Sequence, residues 1–169
     1  MMKRLGIAAT VLALGFAAAC GSSNNNGNPG GPSNTTVFTV QLLPSNENPP
    51  ITNAEQSARG TAVITINSQT NTVDINVSLN SFPTGSTLTL AHIHGPNAPA
   101  GVNASPVVNT NMTAGNAPAL VNGAGTLTFT GLTATTADGV AQILANPQNF
   151  YFNVHTSANP SGVLRGQLR

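Results

Sequence analysis

Charge is what this chain has least of. Charged residues make up only 5% of its 169 residues, against the roughly 25% usual for globular proteins. The cations are Lys3, Arg4, Arg59, Arg165 and Arg169, and the acids are Glu47, Glu55, Asp74 and Asp138. With so few cations there is no basic cluster to displace counterions from a phosphate backbone, so nucleic acid is excluded as a partner. No lysine follows Lys3, which excludes Schiff-base and Walker-type phosphate chemistry from the body of the chain. Tryptophan is absent and Cys20 is the only cysteine, so no internal disulfide can form. Four scattered acids are poor material for a catalytic carboxylate pair. No Gly-x-Ser-x-Gly elbow is present, which weakens nucleophilic catalysis. The weight falls on a non-enzymatic protein.

Residues 1–36 read as export and anchoring. Lys3 and Arg4 precede the apolar run Leu5–Ala19, which ends in Ala17-Ala18-Ala19-Cys20-Gly21. The run is of signal-peptide length and shorter than the roughly 20 residues that span a bilayer. Small residues before a lone cysteine resemble a bacterial lipoprotein processing site, although the usual leucine three residues before the cysteine is Ala17 here. The expectation is a signal peptide over 1–19 and acyl chains, palmitate among them, on Cys20. The membrane would then be a partner through the lipid anchor, with the protein in the cell envelope on the extracytoplasmic side. Residues 20–36, rich in Asn, Gly, Ser and Pro, hold too little apolar surface to offset their ordering entropy and are expected to be a disordered tether. With Lys3 and Arg4 removed, three arginines face four acids, a side-chain balance of −1.

From residue 37 to 169 the pattern has period two. Phe38, Val40 and Leu42 alternate with polar residues, Ala62, Ile64 and Ile66 alternate with their neighbours, and Val73, Ile75, Val77 and Leu79 form the clearest run. Such alternation predicts half-buried strands. Ser68-Gln69-Thr70-Asn71 predicts a hairpin turn. Further strands are expected over 87–94, 105–109, 125–130, 149–156 and 163–169, separated by Gly/Pro clusters. Val140, Ile143 and Leu144 instead have helical spacing. They predict one short helix, capped by Thr136 and ended before Pro147. The expected fold is all-β, an immunoglobulin-like or Greek-key β-sandwich.

Three stretches carry a resemblance. The first is Asn46-Glu47-Asn48-Pro49-Pro50 with Ala58-Arg59-Gly60-Thr61-Ala62. The second is Ala91-His92-Ile93-His94-Gly95-Pro96 with Gly101 and Pro106-Val107-Val108. The third is Tyr151-Phe152-Asn153-Val154-His155-Thr156 with Gly162 to Leu168. Their order and spacing resemble the CHRD family, with Val163 standing where that family usually has Glu. The resemblance implies an immunoglobulin-like all-β domain and no particular activity.

All three histidines lie in these stretches. His92 and His94 sit at i and i+2 of an expected strand, on one face and roughly 6.5–7 Å apart along it. His155 shares a face with Tyr151 and Asn153 on another. If the strands meet, three imidazoles can hold zinc or copper with a position left open. Otherwise the histidines pack at a sheet edge and hydrogen-bond backbone or Asn153. The stretch His92–Gly95 also resembles the His-x-His strand of copper/zinc superoxide dismutases. The remaining ligands of a dinuclear site are missing here, which argues against dismutase chemistry. Glu47 and Arg165 are expected to form a bidentate ion pair fixing the Pro-rich loop to the sheet, or to bind a ligand. Two functions remain open: an envelope domain that binds a protein, a glycan or a metal or serves structurally, and a metal-handling or redox protein built on His92, His94 and His155.

Overall fold

Alternating apolar residues need a second apolar surface to cover them, and the chain supplies it by stacking two sheets. The computed structural model describes residues 34–169. Strands β1 (Thr35–Leu42), β2 (Arg59–Asn67), β3 (Thr72–Asn80) and β6 (Gly125–Leu132) form one sheet in the order β1-β2-β3-β6. Strands β4 (Leu88–His94), β5 (Pro106–Asn109), β7 (Tyr151–Thr156) and β8 (Leu164–Gln167) form the other, in the order β5-β4-β7-β8. Every pairing within the two sheets is antiparallel. The chain leaves β3 for the second sheet and returns to pair β6 with β3, a Greek-key crossover. The expected all-β sandwich is the fold. The expected signal, Cys20 and the tether as far as residue 33 lie outside the described residues, and β1 opens at Thr35, two residues before the expected boundary.

The first sheet follows its sequence closely. Phe38 pairs with Ile64, Ile64 with Ile75, and Ile75 with Phe129, so one apolar row crosses all four strands. A fully buried Ile stabilises the fold by about 1.5–3 kcal/mol relative to exposure. The second sheet completes the core with Ala91, Ile93, Phe152, Val154 and Leu164. The layers close at two corners, where Leu43 bridges to Arg165 and Val108 to Ala134. Gly166 permits the first closure: a Cβ there would lie 2.3 Å from Val40 Cγ1 and 2.5 Å from the Gln41 carbonyl oxygen.

The short helix α1 (Gly139–Ala145) starts later than expected. Thr136 does not cap it. Thr136 instead accepts the Gly139 N–H through its carbonyl, and Asp138 takes the N-cap position with its carboxylate bonded to the Gln142 side chain. The expected strand at 149–156 begins only at Tyr151, because Pro147–Asn149 forms a 3-10 turn.

One departure from a simple two-layer sandwich positions the site. All six residues of β7 are buried, including Tyr151, Asn153 and His155 on the face away from the core. Loops cover that face. Asn48 donates to the Gly101 carbonyl, Asn103 donates to the Asn48 carbonyl, and Asn53 donates to Asn159, which ties three loops into one lid of backbone and amide groups.

Candidate metal centre

The register of β4 on β7 assembles the site. His92 pairs with Asn153, His94 with Tyr151, and Leu90 with His155. Paired residues of antiparallel strands project to the same face, so the outer face of the sheet carries His92, His94, Tyr151, Asn153 and His155 together. One ring nitrogen of each histidine lies within 4.8 Å of the others. His92 Nδ1 is 3.3 Å from His155 Nε2. His94 and His155 are buried, and His92 is half-buried at the solvent side.

Backbone carbonyls fix the tautomers. His94 Nδ1 is 2.8 Å from the Ala104 carbonyl, and His155 Nδ1 is 2.9 Å from the Pro160 carbonyl. A carbonyl only accepts, so each Nδ1 carries the proton and each Nε2 of a neutral ring presents a lone pair. Both Nε2 atoms point at the same oxygen: Asn153 Oδ1 is 2.9 Å from His94 Nε2 and 2.9 Å from His155 Nε2. His94 Nε2, His155 Nε2 and Asn153 Oδ1 therefore converge as three acceptors, and of the neighbouring rings only the Nδ1–H tautomer of His92, 3.3 Å from His155 Nε2, would bring a hydrogen to them. A proton on either Nε2 would relieve this, but the surroundings oppose it. Burial lowers the pKa of all three histidines, and repulsion from His155 and His94 helps take His92 down to about 4. Near neutral pH the rings are uncharged, the state in which imidazole binds metal.

The remaining neighbours orient the ligands. Tyr151 stacks flat on His94, with centroids 4.7 Å apart and planes 2° apart. The Arg165 guanidinium carbon sits 3.5 Å from the centre of the Tyr151 ring. Arg165 does not form the expected bidentate pair with Glu47. Its guanidinium donates instead to Asn103 Oδ1 and to the carbonyls of Pro99 and Val102, closing the loop over the sheet. Those fixed acceptors occupy the planar fork. Glu47 feels the arginine only through space. Its carboxyl is buried, and Oε1 has no hydrogen-bond partner. Burial pushes its pKa up to about 7, against the opposing effects of Arg165 and of the Asn153 amide.

Sequence reasoning names the three histidines, and the structure brings all three together. It treats Asn153 only as a hydrogen-bond partner, although strand alternation already places it between Tyr151 and His155. Glu55 has no sequence signal. Its buried carboxylate accepts from Ser86 Oγ, Thr156 Oγ1 and Asn159 Nδ2, and so anchors the loop that carries Pro160. No pattern in the sequence links Glu55 to residues about a hundred positions away.

Comparison with curated proteins found no match, and comparison with solved structures found none. The family model described as the CHRD domain matches residues 38–168. That span runs from the first core residue of β1 to the last core residue of the chain, and this protein belongs to the CHRD domain family.

Proposed function

We propose that this CHRD domain is a non-enzymatic metal-binding module that holds one zinc or copper ion through His92, His94 and His155. The observation that carries the reading is the convergence of two tautomer-fixed Nε2 lone pairs on a third acceptor, Asn153 Oδ1. A cation placed among them turns three mutually repelling lone pairs into ligands. Neutral imidazoles without thiolate suit zinc or copper. Backbone carbonyls behind two of the rings are the outer contacts that metal-bound histidines commonly have. The half-buried edge of His92 leaves a way in from solvent.

The location proposed for this module is the cell envelope. Processing at Cys20 would anchor the chain by its acyl chains, and each buried CH₂ adds about 0.8 kcal/mol to membrane affinity. The tether from Gly21 to Thr35, 15 residues, would span roughly 20–25 Å as a flexible coil. The module thus stands off the membrane on the extracytoplasmic side, where it handles metal rather than transforming a substrate.

Metal analysis tests this. Purified full chain, stripped with a chelator and dialysed against zinc or copper, should retain one ion, and the His92→Ala/His94→Ala variant should retain none. Absence of uptake by the unaltered chain, or equal uptake by the double variant, would reject the reading.

A further inference from the structure

We infer that Asn153 is a fourth ligand of the metal and that Glu47 is the positioning residue that turns its amide oxygen toward the ion. This inference rests on the three-histidine reading and adds to it a donor and a support. Asn153 is only 1% exposed and sits at the centre of the site, opposite His92 in register and two residues from His155 on the same strand. An asparagine side chain has one accepting end and one donating end, and in a buried pocket its neighbours decide which faces where.

Glu47 makes that decision. Its carboxylate and the Asn153 amide nitrogen crowd the same space over Gly162, where an added Cβ would lie 2.5 Å from Glu47 Oε1 and 2.7 Å from Asn153 Nδ2. Gly162 also has φ +129°, a backbone conformation that favours glycine. When ionised, Glu47 only accepts, so the NH₂ end then belongs on the Glu47 side and the oxygen is left facing His94 and His155. Turning the amide over would put oxygen against carboxylate. The cost of the present orientation is the set of facing lone pairs described above, and a cation removes it. The donor set is then three imidazole nitrogens and one amide oxygen. It is uncharged, and a bound cation would favour the ionised form of Glu47 behind it, whose charge then offsets the ion's.

Zinc affinity of the full chain, measured by competition with a chelating indicator, tests the inference alongside melting temperatures with and without zinc. Asn153→Ala should weaken binding at least about tenfold, and Glu47→Gln by about 10–100-fold, the range for losing an outer-contact residue of a metal site. A glutamine in place of Glu47 can accept from Asn153 or donate to it, and so lets the amide turn its NH₂ toward the histidines. The double variant Glu47→Gln/Asn153→Asp should recover binding, because the introduced glutamine can donate to one oxygen of the introduced carboxylate and leave the other for the ion. Its metal-free melting temperature should fall below that of the unaltered chain, and zinc should restore it. A purely structural role would lower the two melting temperatures equally and give no recovery of affinity. If the unaltered chain binds zinc, His94→Ala abolishes binding and Asn153→Ala binds as tightly as the unaltered chain, the fourth-ligand assignment is wrong while the histidine site stands. No zinc binding by the unaltered chain overturns both.

Discussion

The phenol ring of Tyr151 stacks on the His94 imidazole, with 4.7 Å between ring centroids, and also carries the Arg165 guanidinium carbon 3.5 Å from its centre. The stack sets the plane of His94 by packing, while the Ala104 carbonyl sets its tautomer. Tyr151→Ala should cost about 3–5 kcal/mol of stability, as truncation of a buried aromatic does, read from urea unfolding. Tyr151→Phe keeps the stack and loses only a long bond from the Ala104 N–H, so it should cost well under half as much. Equal losses in the two variants would show that the hydroxyl, not the ring, matters.

The metal-free protein should lose stability in acid, and Glu47 should blunt that loss. The histidines have folded pKa values below the ordinary value, His92 at about 4. Their contribution is present above about pH 6.5 and is lost as pH falls toward 4. Allowing for the partial exposure of His92, its share is on the order of 2 kcal/mol. Glu47 has the opposite sign. Its pKa is raised from 4.5 to about 7, so its contribution is complete below pH 4.5 and is lost as pH rises through 7. Urea midpoints of the chelator-treated protein should therefore drop between about pH 7 and pH 5, and more steeply in Glu47→Gln, which lacks the opposing group. A shallower drop in that variant would contradict the assignment.

Glu55 should be a stability residue with a second, weaker effect on the site. Its carboxylate receives Ser86 Oγ at 2.5 Å and both Thr156 Oγ1 and Asn159 Nδ2 at 2.6 Å. Glu55→Gln should cost about 1–3 kcal/mol, the range for hydrogen bonds to a charged group. It should also loosen the loop whose Pro160 carbonyl holds His155. Zinc affinity should fall less than in Asn153→Ala. Unchanged stability by denaturant unfolding would show that the three bonds are dispensable.

Anchoring can be separated from folding. Cys20→Ser should leave the protein unprocessed or move it from the membrane fraction to the soluble one, seen by fractionation and immunoblotting. Its melting temperature should not change, because every core residue of the described domain lies beyond residue 37. A membrane fraction unaffected by the substitution would remove the lipid anchor from the proposal.

Much of this protein was determined by the sequence alone, because the relevant interactions are local. Period-two alternation in Val73–Leu79 reports which face of β3 is buried, and a strand has only two faces. The turn at Ser68–Asn71 joins β2 to β3 in the register Asn67 to Thr72, and the placing of His92 and His94 on one face follows from strand geometry. What only the tertiary structure decided involves long-range partners. Alternation predicts an exposed face wherever polar residues recur. The polar face of β7 is buried because loops from residues 43–58 and 95–105 fold over it, held by Arg165 and by asparagine side chains. The partners of Arg165 could not be read from charge, since the neutral carbonyls of Pro99 and Val102 took the place expected for Glu47. The meeting of His155 with His92 depends on β4 and β7 being neighbours, a pairing set by the packing of two sheets rather than by any run of residues. The lone pairs converge because two backbone carbonyls from separate loops choose the tautomers, and no side-chain sequence encodes where a carbonyl will point.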